Sequence, residues 1–340
     1  MTEDNDPLAA IFAATEARQR ESAGVDPRAA DLFAIDARIA ALTEAIVTAP
    51  AFIAARDRWQ ALRDLVDSGA QVAVLPVSPR ELQRDLGRGT PAEDSALMQI
   101  MEHAEAEGAA PAVLLVDRPL GHEADDVALL RGLAVVGETL LCAVVAEAAP
   151  GLLGEPAQSD PARLHESPAF APFRTLRVDA GARFLALVVG SGWTLVTRLA
   201  ATVAEDGWGA GAEGEAPSPT AAALARSGLA SGATLPSLHR PPKLDRPEAT
   251  EAAQRAARLP AVIASARVMR ALRVRAARAL HAGTGQAGAR VQAWLDTVPE
   301  AAGSTVAIKM QDGMAVLEAR LRLAMPDAAT PLPLRLAVVV

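Results

Sequence analysis

Apolar positions along this chain follow two different periods, and the places where the period changes divide it into segments. From Ile35, apolar residues recur at Ile35, Ile39, Leu42 and Ile46, the stripe of an amphipathic helix that Pro50 punctuates. A second helical stripe carries Phe52, Trp59, Leu62, Leu65 and Val66 and ends near Gly69. Residues 71–77 (QVAVLPV) then read as a strand. Ser78-Pro79-Arg80-Glu81 follows at once, a capping box with proline in the first helical position. Thr90-Pro91-Ala92-Glu93 repeats the device and opens a helix through about residue 107; Asp160-Pro161 opens another. Further strands are read at 112–117 (AVLLVD), 140–146 and 183–189 (RFLALVV), with helices at 125–137 and at about 193–205, closing at Gly207. The strands are continuously apolar rather than alternating, as strands covered on both faces are. Alternation of strand and helix predicts an α/β layer with a mainly parallel sheet.

Residues 209–248 are rich in Gly, Ala, Ser and Pro and read as a linker or exposed loop with one short helix. Helices follow at about 247–259, 261–281 (Pro260 between them) and 287–297. Strands at 305–310 and 314–323 flank Gln311-Asp312-Gly313, a hairpin signal, and a last strand runs over 332–340. The expected organisation is a polar segment (1–30), a helical pair (31–68), an α/β core (69–208), a linker (209–248) and C-terminal helices with a small antiparallel sheet (249–340).

Composition excludes classes more than it assigns one. Of the 51% hydrophobic content, 78 alanines account for about 23%, which leaves about 28% large apolar side chains, an ordinary share for a globular chain. One cysteine, Cys142, excludes a disulfide scaffold and fits a reducing compartment. The start MTEDNDP is acidic where a signal peptide is basic, and the most apolar stretch, residues 133–146, is interrupted by Glu138 and too short to span a bilayer. A net charge of −8 disfavours nucleic acid. The expectation is a cytoplasmic chain with no membrane and no nucleic-acid partner.

Candidate chemistry is sparse. Residues 209–214 and 283–288 satisfy G-x-G-x-x-G, but both follow helices, whereas a dinucleotide fingerprint follows a strand and opens a helix. The histidines, His103, His122, His165, His239 and His281, lack metal-ligand spacing. Cys142 inside LLCAVV reads as a buried small hydrophobe. No catalytic residue, cofactor or metal is expected. The most distinctive charge feature is Arg267, Arg270, Arg273, Arg275 and Arg278, with Arg255 and Arg258 upstream; most of the first group share one helical face. It reads either as a solvated basic face or as a docking surface for an acidic partner.

Several strings, taken in order, resemble the large subunit of the bacterial type VI secretion contractile sheath (the TssC/VipB family). Residues 35–67 are similar to that family's N-terminal helical pair through Ile35, Asp36, Pro50, Phe52, Trp59, Leu62, Leu65 and Val66. VSPRELQRDL (77–86) resembles its strand-to-helix junction and Ser95-Ala96-Leu97 the helix after it. Phe173-Arg174, the run Ala182 to Leu187, and TLVTRLAATVAEDGW (194–208) match later elements. ARLPAVIASARVMRALRVRAARAL (257–280) resembles its long helix, and PLPLRLAVVV its terminal strand. The resemblance spans about residues 31–340.

It implies a non-catalytic subunit that pairs with a small sheath subunit around an inner tube, adjoins baseplate components, and joins neighbouring copies by β-augmentation. Interface candidates are Arg267, Arg270, Arg273 and Arg278 with Leu332, Leu334, Leu336 and Val338; Trp59, Phe52, Arg183 and Pro260 are expected to be structural. The chain is shorter than usual members, and the β-rich segment that precedes the Ile-Asp start in the family is not visible. The missing segment suggests an alternative, a non-polymerising paralogue acting as a terminal or baseplate-adjacent adaptor; a third reading, on fold analogy alone, is a small-molecule α/β enzyme using the carboxyl ends of its strands.

Overall fold

The structure is a computed structural model that describes residues 27–87, 94–153, 170–208, 218–231, 235–241, 243–282, 286–325 and 331–340. The helix starts read at Thr90 and Asp160, the glycine motif at 209–214 and His165 lie outside the described residues, as does most of the polar segment 1–30. The chain divides into two units, residues 1–60 and 61–340.

In the first unit, α1 (Pro27–Val47) begins upstream of the Ile35 stripe, because proline is tolerated in a first turn and the residues after it are good helix formers. α2 (Pro50–Asp67) follows and crosses into the second unit. The α1 stripe is formed as read but lies open: Ile35, Ile39, Leu42 and Ile46 are 53–57% exposed. Phe52 and Trp59, expected as structural positions, are also exposed, Trp59 to 71%. The spacing that makes a helix amphipathic does not say whether the chain itself supplies the cover.

Leu65, near the end of α2, is buried in the second unit. The strand read at 71–77 is absent, and residues 71–77 form an irregular, exposed segment. A β-branched run becomes a strand only where a sheet edge pairs with it, and here none does. α3 (Pro79–Leu86) starts as read: the Glu81 N–H donates to Ser78 Oγ at 3.3 Å and the Ser78 N–H to Glu81 Oε2 at 2.9 Å. Hydrogen bonding from the Ser78 side chain, then from its backbone N–H, holds the Glu81 carboxyl below its ordinary pKa. α4 (Ala96–Ala106) is capped by Ser95 and by Asp85 of the preceding helix, which accepts from the Ala96 and Leu97 N–H groups at 2.7 and 3.0 Å.

The sheet comprises β1 (Val113–Leu120), β2 (Ala143–Ala148), β3 (Leu185–Val188) and β4 (Leu229–Ala230), all parallel and in sequential order. Between them come α5 (Ala124–Leu140), α6 (Ala171–Leu176), α7 (Gly192–Asp206) and α8 (Pro219–Arg226). β4 corrects the reading of 209–248 as a linker: α8, β4 and residues 235–241 belong to the packed body. Its two-residue length and Ala-rich flanks hide it from any periodicity. Alternate strand residues face opposite ways. Val144, Ala146, Leu185, Leu187 and Leu229 pack with α3 to α6 and α8, while Val145, Ala186, Val188 and Ala230 pack with α7. Both faces are covered, which is why the strands read as continuous apolar runs.

The remainder is α9 (Pro247–Ala256), α10 (Leu259–His281), α11 (Ala287–Leu295) and an antiparallel sheet of β5 (Thr305–Gln311), β6 (Met314–Leu323) and β7 (Leu332–Val339), in that order. Pro260 lies in the first turn of α10 and is buried. Asp312 and Gly313, at φ +50° and +82°, form the two-residue hairpin turn, a backbone that Asp-Gly adopts at little cost. Residues 259–266 of α10 are buried all round. Leu259 and Ile263 reach the α/β core, whereas Val262, Met269 and Leu272 face the C-terminal sheet.

Candidate functional site: interfaces rather than a pocket

The carboxyl ends of β1 to β3, where an α/β enzyme would bind substrate, carry polar groups that bond one another. The Trp193 indole N–H donates to Asp117 at 3.0 Å. Arg118 pairs with Asp126 at 2.6 Å, and Asp126 also accepts the Gly121 N–H at 2.8 Å. Glu147 accepts the Gly192 N–H at 2.8 Å, so the first turn of α7 is neutralised by a side chain of this protein. The strand order has no reversal, hence no switch-point crevice among the described strands. Cys142 is buried and its thiol is pushed up to about 12 by desolvation, a poor nucleophile. Among the described residues no group of His, Cys, Asp and Glu could hold a metal ion, and no helix is long and apolar enough to cross a membrane.

The arginine face of α10 is largely turned inward, which corrects its reading as an open surface. Arg270 donates to four carbonyls, Ala110 at 3.1 Å, Pro111 at 2.9 Å, Leu140 at 3.2 Å and Leu141 at 2.7 Å. Leu140 and Leu141 end α5, so the guanidinium meets the negative end of a helix. It also holds Leu141, whose φ of +52° is a left-handed conformation that leucine rarely adopts. Arg273 donates to Thr139 O at 2.6 Å and grips both Glu105 oxygens at 2.5 and 2.6 Å, fastening α4 and α5 to α10. Arg267 is half-exposed, 3.9 Å from Glu300 and 5.2 Å from the Trp208 ring centroid. Arg275 stacks on Trp294 at 4.2 Å, and Arg278 is exposed.

The candidate side chains of β7 are also placed inside. Leu332 and Leu334 are buried and Leu336 and Val338 half-buried, all on the face that packs against α10. What the sheet leaves open is backbone. On β5 the Val306 N–H donates to the Gln292 side chain at 2.8 Å instead of to β6. Antiparallel alternation therefore turns the N–H groups of Ile308 and Met310 outward. Met310, 68% exposed, and Met314 lie beside the hairpin turn. No sequence signal separates a free sheet edge from a paired one.

A buried cationic cluster holds residues 235–241 in place. Arg177 donates to Leu238 O at 3.1 Å and Arg226 O at 3.2 Å, and burial draws its pKa down to about 10. Arg183 is likewise mostly buried, with Glu138 as its counter-charge. His239 is held below its ordinary pKa by desolvation, then by Arg183 and Arg177, against hydrogen bonds with the Asp179 and Arg177 backbone. The unfolded chain therefore binds the His239 proton at a pH where the folded chain does not, and stability falls as pH drops below about 6.5. Burial raises the Glu138 pKa, which acts in the opposite sense just above its ordinary value. Comparison of wild type with H239Q in urea melts between about pH 7 and pH 5 isolates the histidine: the acid-side loss is expected to shrink in the variant, and parallel curves would refute it.

The described residues thus present strand ends bonded among themselves, exposed apolar positions on α1 and an open edge on β5. The family model of VipB, EvpB/VC_A0108, tail sheath N-terminal domain, matches residues 30–200. The chain belongs to this tail sheath family, which bears out the resemblance to the type VI sheath large subunit read from its sequence. The matched range holds most of α1, all of α2 to α6 and β1 to β3, and the first part of α7; α10 and the C-terminal sheet lie beyond it. Comparison with curated proteins returns no match.

Proposed function

We propose that the chain is a large, non-catalytic subunit of a type VI contractile sheath, pairing in the cytoplasm with a small sheath subunit around an inner tube and adjoining baseplate components. Neighbouring copies add strands to the C-terminal sheet, and the partner covers the α1 stripe. The observation that carries this reading, beside the family match, is the outward ladder at Ile308 and Met310, whose N–H and C=O groups are oriented to accept another strand. Backbone pairing suits a repeating lattice, because it does not depend on the partner's side chains.

A proline at position 308 tests it. The Ile308 N–H faces away from β6, so I308P removes an outward donor and no internal bond. I308A loses comparable packing but keeps the donor. Both variants are expected to melt within about 1 kcal/mol of each other. Electron microscopy after co-expression with the small subunit should show long tubules for I308A and none for I308P. Equal tubules would reject edge pairing at β5, and soluble heterodimers from the wild-type chain would move the role to an adaptor.

A further inference from the structure

Two arginines on adjacent helices stand apart from the inward network. Arg278 of α10 and Arg290 of α11 line, with Arg275, Ala279 and Val291, a groove of about 250 Å³. Neither guanidinium has a hydrogen-bond or ion-pair partner among the described residues, and Arg275, one turn before Arg278, is fixed by its stacking on Trp294. The floor is apolar, with Ala279 and Val291 both buried. Among the described residues none that lines the groove is acidic, although the whole chain has 41 acidic against 33 basic side chains. A concentration of cations on an anionic protein, with its counter-charges missing, is half of a complementary pair.

We propose that this groove binds an acidic polypeptide segment of a partner, one that sets an aliphatic side chain on Ala279 and Val291 and presents carboxylates to Arg278, Arg290 and Arg275. Planar guanidinium groups take carboxylates bidentately, so three of them around one apolar spot specify a motif of acidic residues flanking a leucine-like one. Nucleic acid is a poorer fit: the one indole nearby is already covered by Arg275, and a chain of net charge −8 repels a polyanion. A membrane surface calls for a larger basic cluster than three residues.

Fluorescence anisotropy of the full chain with a labelled Glu-Glu-Leu-Glu-Glu peptide tests this directly. Binding that weakens at least tenfold in R278E/R290E, and with a peptide carrying Gln in place of Glu, supports the groove. Both positions are exposed, so the melting temperature should not move; R278Q/R290Q, with the charge removed but not reversed, serves as the second variant and should also bind weakly. Unchanged affinity in the folded variants, no peptide binding, or displacement by oligothymidylate, inorganic phosphate or anionic vesicles at lower charge concentration than by the peptide would overturn it. The outcome is separable from the sheath reading: tubules built by a chain that ignores the peptide would leave that reading standing and remove this one.

Discussion

Glutamate in place of Arg270 is expected to destabilise the fold strongly, not merely to detach a partner. The guanidinium satisfies four carbonyls, two of them at the negative end of α5, and a carboxylate there would face the same oxygens with like charge. Removing one side of a buried charged network costs about 3–5 kcal/mol, a large part of the roughly 5–15 kcal/mol that holds a domain together. R270K should fall between, because an ammonium has three donors on one point and does not span four carbonyls. Urea denaturation followed by circular dichroism measures both. An R270E midpoint within error of wild type would show that the clamp contributes nothing. The spacing reads Arg270 and Arg273 as part of a solvated or docking face, whereas they bond to Leu141, Thr139 and Glu105.

The opposite pattern is expected on α1. In I39D/L42D two side chains that are 56% and 57% exposed become charged, and since neither is buried in the isolated chain, stability should stay within about 0.5 kcal/mol of wild type. In an assembly that covers the stripe, each aliphatic side chain contributes ~1.5–3 kcal/mol of burial, so the pair should weaken co-assembly by a factor on the order of 100 or more. Pull-down of the small sheath subunit by tagged wild-type and variant chains measures this. Equal recovery would mean that α1 faces water in the assembly.

The regular elements were legible wherever local chemistry dictates them. The Ser78 capping box, the prolines that open α9 and α10 and the Asp312-Gly313 turn all form as their residue types require. Elements that depend on a distant partner were not. Residues 71–77 have strand composition and pair with no strand, while the two-residue Leu229–Ala230 carries almost no strand signal and does join β3. The same distinction governs the interfaces. A period of 3.6 placed the arginines on one face of α10, but whether that face meets solvent depends on Glu105 and Leu141, more than 120 residues away. The outward ladder of β5 is a property of sheet order, which no spacing encodes.

Because α10 touches both the α/β core and the C-terminal sheet, it is also the load path between them. Under the proposed edge pairing, a neighbour holding β5 would pull on the antiparallel sheet, which packs on α10 through Leu272 and Met269. A helix of 23 residues, about 35 Å long, is stiff enough to deliver that tension without stretching. It arrives where Arg270 and Arg273 fasten α10 to the ends of α4 and α5 and to the entry of β1. These bonds anchor three segments at once, so a force arriving there would be shared among them. In a machine that shortens abruptly, the arginines of α10 would act as rivets.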